Sequence, residues 1–199
     1  MASHPTRHLD LGCGPVPRNP YRRDELFGLD IAAREQPGCT IAQGNLSVDP
    51  IPFADAHFDS VSAFDFIEHV PRVLPTADGR ATRFPFIELM NEISRVLRPG
   101  GRLYALTPCY PAREAFQDPT HVNIITERTH LYFTGAQPLG RMYGYIGDFK
   151  ALRVEWVVSR DHHEPNPQLT LRQRWRRFNY RRKGQLSHLL WEFERGGQA

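Results

Sequence analysis

The stretch Arg7 to Gly14, R-H-L-D-L-G-C-G, constrains this chain more than any other. Leu9 and Leu11 are apolar, Asp10 sits between them, and Gly12 and Gly14 come directly after. That is the pattern of a short buried strand running into a glycine turn. Glycine is needed where φ becomes positive or where a ligand comes close to the backbone. In open α/β sheets, ligands bind beyond the carboxyl ends of the strands. A first strand ending in G-x-G therefore offers a floor for a nucleotide-like cofactor. The same three residues also fit an ordinary turn, so the weight of the motif depends on the residues downstream of it.

Three prolines come next. Pro15, Pro17 and Pro20 remove backbone donors and fix φ, so no long helix begins at Gly14. At most Asn19 caps a short one, with Pro20 at its first position. Leu26 to Ile31 reads as a second strand with Asp30 near its tip, where an acid can accept ribose hydroxyls. Cys39 to Gln43 is a third strand closed by Gly44-Asn45-Leu46. There Asn45 suits an adenine edge and Leu46 the ring face. The stretch between Asp30 and Cys39 is too short for a full crossover helix. Phe58 to Phe64 alternates as a fourth strand, and Asp65 to Val70 turns into a helix or helical turn. Arg72 to Arg83 is a polar loop. Phe84 to Leu97 carries one apolar face at helical period and is stopped by Pro99-Gly100-Gly101. Arg102 to Thr107 is a fifth strand. Pro108 to Ile125 is irregular, and a long loop at the end of a central strand is often functional. Thr126 caps a short helix to about Phe133. Phe149 to Ser159 and Ser187 to Glu194 make strands six and seven. This order predicts an α/β domain with a mainly parallel sheet.

Composition narrows the class. A chain of 199 residues with 40% hydrophobic and 24% charged residues fits one globular domain, 1–199. It shows no N-terminal apolar run and no apolar stretch long enough to span a bilayer, so neither signal peptide nor membrane span is expected. Cys13, Cys39 and Cys109 are scattered without C-x-x-C spacing, which argues against a zinc–cysteine site and for a reducing, cytoplasmic setting. A net charge of +3 demands no polyanionic partner.

Taken in order, L-D-L-G-C-G, G-L-D-I, G-N-L followed by I-P-F-A-D-A-H-F-D, and a helix ending in L-R-P-G-G-R-L resemble the class I S-adenosylmethionine-dependent methyltransferases. The resemblance covers about Arg7 to Thr107. It implies a Rossmann-like, open seven-stranded sheet with an antiparallel C-terminal edge hairpin. Residues 7–107 would be the cofactor-binding half and 108–199 the acceptor side. It implies that Gly12 and Gly14 contact the methionine part of S-adenosyl-L-methionine and that Asp10 helps hold its amino group. Asp30 would bind the ribose hydroxyls, Asn45 and Leu46 the adenine, and Phe64 would lie by the methionine end. Two departures stand out. Val16 occupies the place of a third glycine, and the first and second helices are trimmed.

For the chemistry, Asp65, Glu68 and His69 form D-x-x-E-H after the fourth strand, and offsets of three and four place them on one helical face. His121, in D-P-T-H-V-N, can close the set from the neighbouring strand tip. Two carboxylates and two imidazoles suit Mg²⁺ or another divalent ion. The segment is similar to the E-x-x-E-H pattern of ubiquinone-pathway O-methyltransferases and of small-RNA ribose methyltransferases, with Asp65 in place of the first glutamate. The same residues, His121, His69 and Glu68 as catalytic candidates, also serve without metal, with His121 as the base, His69 facing cofactor or acceptor and Glu68 capping or solvating the helix. The expected activity is O-methylation of a small molecule or sugar-containing metabolite. RNA methylation using the basic segment 172–183 is one alternative, and a non-catalytic cofactor-binding protein is the other. In that basic segment Trp175, Phe178 and Leu171 fall at helical spacing and are expected to pack inward. Asp161-His162-His163 is expected in a solvated loop.

Overall fold

Alternation along the central strands decides how the layers assemble. The computed structural model describes residues 4–32, 36–165 and 167–197. Its strands β1 (Arg7–Leu11), β2 (Glu25–Asp30), β3 (Thr40–Gln43), β4 (Phe58–Phe64), β5 (Leu97–Pro108), β6 (Phe149–Val157) and β7 (His188–Arg195) form one sheet in the order β3-β2-β1-β4-β5-β7-β6. The first five run parallel, and β7 lies antiparallel between β5 and β6. Leu9, Leu11, Val61, Ala63, Leu103 and Ala105 point to one side of the sheet and make the main core. Helix α1 (Pro85–Val96) seals that side with Phe86, Leu89, Met90, Ile93 and Val96. Pro85 opens the helix, where a missing N–H leaves nothing unpaired.

The other side of β1 and β4 is polar, which explains how the chain dispenses with a first crossover helix. His8, Asp10, Ser60 and Ser62 are all buried there. Ser62 Oγ donates to Asp10 Oδ1 at 2.5 Å, and the backbone N–H of Arg18 donates to Asp10 Oδ2 at 2.8 Å. His8 lies 2.8 Å from both Ser60 Oγ and Ser62 Oγ. Because Ser62 spends its only proton on Asp10, His8 Nε2 must be the donor to Ser62, and Nδ1 accepts from Ser60. A network that satisfies itself needs only a cover, and the proline-rich segment 15–23 supplies it without helix. Beyond it, Phe64, Tyr104, Leu106, Val157 and Leu190 form a smaller apolar cluster on the same side.

Burial, reinforced by Arg23, pushes the His8 imidazole down to about 3. A base depressed in the folded state contributes stability that is complete above its unfolded value of 6.5 and lost as pH falls toward 3. Urea unfolding at pH 7.5 and pH 5 should therefore show the wild type losing about 2 kcal/mol more than His8→Leu. Equal losses would mean that His8 is not held neutral. Asp10, raised to about 6 by burial, changes both chains alike and cancels in the comparison.

Several local expectations change. The segment 65–70 forms only a 3₁₀ turn, Ile67–His69, and the short helix after Thr126 is a 3₁₀ turn at Thr129–Tyr132. Asn19 caps no helix; it ties its own turn through both backbone groups of Arg23. The loop 72–83 closes in a small hairpin, Leu74–Pro75 with Thr82–Arg83. The basic segment is a helix, α2 (Leu171–Arg182), but its aromatics do not pack inward: Trp175 and Phe178 are exposed while Arg176 and Arg177 face the body. Asp161 pairs with Arg176 and His162 is buried, so these two anchor α2, while His163 alone of the three is exposed as expected.

Candidate active site

The glycine turn, the tip of β2 and the turn after β4 meet at the carboxyl end of the parallel strands. Gly12 has φ of 60° and Gly14 has φ of 58°. A Cβ on Gly12 would lie 2.3 Å from the Phe66 ring, whereas one on Gly14 meets nothing within 4 Å. Gly12 thus lets Phe66 close against the turn, and Gly14 leaves open floor. Asp30 holds the turn from the side: Oδ2 accepts from Gly14 N–H and Oδ1 from Ala32 N–H, both at 2.9 Å. Each carboxylate oxygen keeps a second acceptor site for a ligand hydroxyl.

Gly12, Asp30 and Phe66, with Asn45, Leu46, Asp65 and His69, line a cleft of about 370 Å³. Leu29 and buried Leu46 give it apolar wall. Asn45 Oδ1 is taken by Ser47 N–H, which leaves its NH₂ as the group for a base edge. Open floor at Gly14, an acid with spare acceptor capacity and an apolar wall fit a nucleoside cofactor with an amino-acid tail.

Two expected cofactor residues sit elsewhere. Phe64 is buried on the opposite side of the sheet, against Tyr104, with the Arg18 guanidinium 4.6 Å above its ring. Phe66 lines the cleft in its place, because Asp65 turns the chain over at φ of 49°. Asp10 spends its oxygens on Ser62 and Arg18 beneath the turn, so it supports the floor from below.

Beside the cleft, Glu68, His69 and His121 bring one ligand atom each to within 4.8 Å of one another. Asp65 does not join them: it precedes the 3₁₀ turn Ile67–His69 with a φ of 49°, and its Oδ1 pairs instead with His188 Nε2 at 3.0 Å. Glu68 is 1% exposed. Its Oε2 accepts from Thr107 Oγ1 at 2.9 Å, and its Oε1 has no partner. Burial raises its carboxyl to about 8. His121 Nδ1 is likewise buried without a partner, and its ring packs edge-on against His69 with centroids 4.8 Å apart. His69 Nδ1 meets Thr120 Oγ1 at 3.0 Å, and Thr120 donates to Asp118 Oδ1 at 2.6 Å. The donor set therefore fits a divalent cation: two imidazoles, one carboxylate, two orphaned atoms and an outer partner that orients His69.

The loop carrying His121 is fastened by Asn123, which donates through Nδ2 to Ile67 O, while its own N–H and that of Val122 donate to Glu68 O. Asn123, Thr107, Phe66 and His188 escape sequence reading. Only Thr120 carries a signal, as the neighbour of His121 in D-P-T-H.

A family described as a methyltransferase domain matches residues 9–105. No curated protein matches the chain in sequence. A putative methyltransferase in complex with the Trm112 activator from Haloferax volcanii is 16% identical with a TM-score of 0.59, covering 96% of this chain and 83% of that one. An S-adenosylmethionine-dependent methyltransferase from Mesorhizobium loti is 17% identical with a TM-score of 0.58, covering 95% and 90%. Geranyl diphosphate C-methyltransferase from Streptomyces coelicolor is 14% identical with a TM-score of 0.53, covering 96% and 71%. At these identities the structures speak for the fold, and the family match speaks for the cofactor. Residues 9–105 match a methyltransferase domain, and that match together with the fold supports a class I S-adenosylmethionine-dependent methyltransferase.

Proposed function

We propose that the chain transfers a methyl group to an oxygen of a small molecule or sugar-containing metabolite, with Glu68, His69 and His121 serving the acceptor. One observation carries this reading. The three side chains converge beside the cofactor cleft, and two of their buried atoms, Glu68 Oε1 and His121 Nδ1, are left without partners. Buried polar atoms are ordinarily paired, and unpaired ones at a cleft await a ligand or a proton. A cavity of about 420 Å³ walled by Phe84, Phe86, Tyr132 and Phe133 adds room for a small apolar acceptor body. Arg72, on its wall, is hydrogen-bonded to Asn123 at 2.6 Å and so ties this cavity to the His121 loop.

When bound, S-adenosylmethionine supplies an electrophilic methyl group on a sulfonium sulfur. Asp30 and the Gly12–Gly14 floor orient that cofactor, and Phe66 and Leu46 exclude water from it, so that much of the acceleration comes from positioning. The acceptor hydroxyl must also shed a proton. Glu68, His69 and His121 would hold a divalent ion whose Lewis acidity eases that loss. His69 offers Nε2, because Thr120 occupies Nδ1. Without an ion, His121 Nδ1 accepts the proton directly.

Manganese titration followed by electron paramagnetic resonance tests the cation. The expected result is one Mn²⁺ per chain, lost in His121→Ala, with chelator abolishing turnover. No bound Mn²⁺ and chelator-insensitive turnover would remove the ion and leave His121 as base. Full turnover by His121→Ala would overturn the reading.

A further inference from the structure

Helix α2 is amphipathic with its faces exchanged. Leu171, Trp175 and Phe178, at offsets of four and three, form one stripe and are 83%, 69% and 57% exposed. Apolar stripes on the helices of a globular domain ordinarily face the core. Here the core side is held by charge instead. Arg176 pairs with Asp161, and Arg177 pairs with Glu155 on β6. Thr170 and Gln173 close a capping box at the amino end, so the helix is built to stand in this orientation.

The flanks of the stripe are cationic. Arg172 lies on one side, Arg174 and Arg181 on the other, and Arg182 sits within the stripe with its guanidinium 5.8 Å from the Phe178 ring centroid. From Leu171 to Lys183 the helix has no acidic residue. Among the described residues, none of these four arginines has a carboxylate partner. An exposed Leu–Trp–Phe stripe bordered by arginines is the surface of a helix that lies in a lipid headgroup layer. A nucleic-acid groove would instead interleave bases with stacking rings, and Leu171 has no ring to stack. Among the described residues, no helix is long and apolar enough to cross a membrane, so attachment would be peripheral.

The position of α2 gives the contact a consequence. Val157 and Pro108 both sit opposite His188, so the whole connection 158–187 leaves and re-enters the sheet at the carboxyl end of its parallel strands. That is the end at which the cofactor cleft opens. His188, six residues beyond the helix, pairs with Asp65 on the cleft wall.

We infer that the outer face of α2 docks on an anionic lipid bilayer, with Leu171, Trp175 and Phe178 in the acyl boundary and the flanking arginines on headgroup phosphates. The reading is independent of metal and acceptor, since it rests on a surface that neither touches.

Vesicle co-sedimentation of the full chain tests it, with phosphatidylcholine vesicles containing or lacking phosphatidylglycerol. Binding is expected only to the anionic vesicles, with a blue shift in tryptophan emission, because Trp191 is already buried and Trp175 is the most exposed tryptophan. Trp175→Ser with Phe178→Ser should weaken binding at least about tenfold at unchanged melting temperature. Arg174→Gln with Arg181→Gln should weaken it by about fivefold per charge. Equal binding by the double serine variant, or no binding to anionic vesicles, overturns the proposal. Tight binding to an RNA oligonucleotide with a steep salt dependence and no vesicle binding would assign the face to nucleic acid.

Discussion

Glu68→Gln should cripple methyl transfer and at the same time stabilise the ligand-free chain. The glutamine side chain is isosteric and can still accept from Thr107 Oγ1 at the position Oε2 holds now. What it removes is a carboxyl buried to 1% exposure with one oxygen unpartnered. Burial raises that group from 4.5 to about 8. For an acid raised in the folded state, the unfolded chain gives up its proton first, so stability declines as pH rises from 4.5 toward 8. The advantage of glutamine should therefore be absent below pH 4.5, grow through neutrality and level off above pH 8, reaching about 2–4 kcal/mol. Melting temperature measured across that pH range checks it. Turnover should fall by about 10²–10⁴, the usual weight of acid–base groups. Added Mn²⁺ should raise the melting temperature of the wild type and leave the variant unmoved. A variant that is less stable at pH 8 would show that Glu68 serves the fold.

Glu68 is buried beside the cleft with one oxygen unpartnered, in the segment where the sequence places it. The glycine turn, Asp30 and the Asn45–Leu46 pair are legible because each is a local event at a strand tip. Strand period and turn chemistry place them without knowledge of the rest of the chain. The sheet is legible for the same reason, since β4 and α1 announce themselves by periods of two and of 3.6. Glu68, His69 and His121 come together only because β4 and β5 are neighbours and the 108–125 loop folds back over the turn.

The misplacements share a cause. Asp65 is misassigned by any reading that continues β4 directly into a helix, and Phe64 by one that overlooks the crossing to Phe66. The backbone leaves the strand at Asp65 with positive φ and brings Phe66 to the cleft, while Phe64 keeps the side it shares with Ser60 and Ser62. A non-glycine residue in that conformation leaves no mark in a hydrophobic pattern. In α2 the period is right and the direction wrong. A helix with apolar residues on one face and arginines all round does not say which face is inward. Only Asp161 and Glu155, supplied by other elements, decide it. The polar underside of β1 and β4 shows the converse. His8 and Asp10 are visible in the first motif, but their serine partners on β4 become meaningful only through pairing.

The second large effect belongs to Asp30, and it separates two roles that one carboxylate holds together. Both of its oxygens accept backbone N–H groups, from Gly14 and from Ala32, and the proposed ribose contacts use the remaining acceptor sites. Alanine removes everything, and affinity for S-adenosylhomocysteine should fall at least about 100-fold, or about 3 kcal/mol, by calorimetry. Asparagine is the more informative change. Its single oxygen can serve Gly14 or Ala32, and its NH₂ then confronts the other N–H, donor against donor. If Asp30 both fixes the glycine turn and binds the cofactor, Asp30→Asn should lose nearly as much affinity as Asp30→Ala. The lost backbone acceptor should also lower its melting temperature. If Asp30 acts only by accepting hydroxyl protons, the amide oxygen should rescue part of the affinity and leave the fold untouched. An Asp30→Asn chain that binds within about fivefold of the wild type would separate the turn from the cofactor. Positioning of the floor would then rest on Asp10 and Ser62 beneath it.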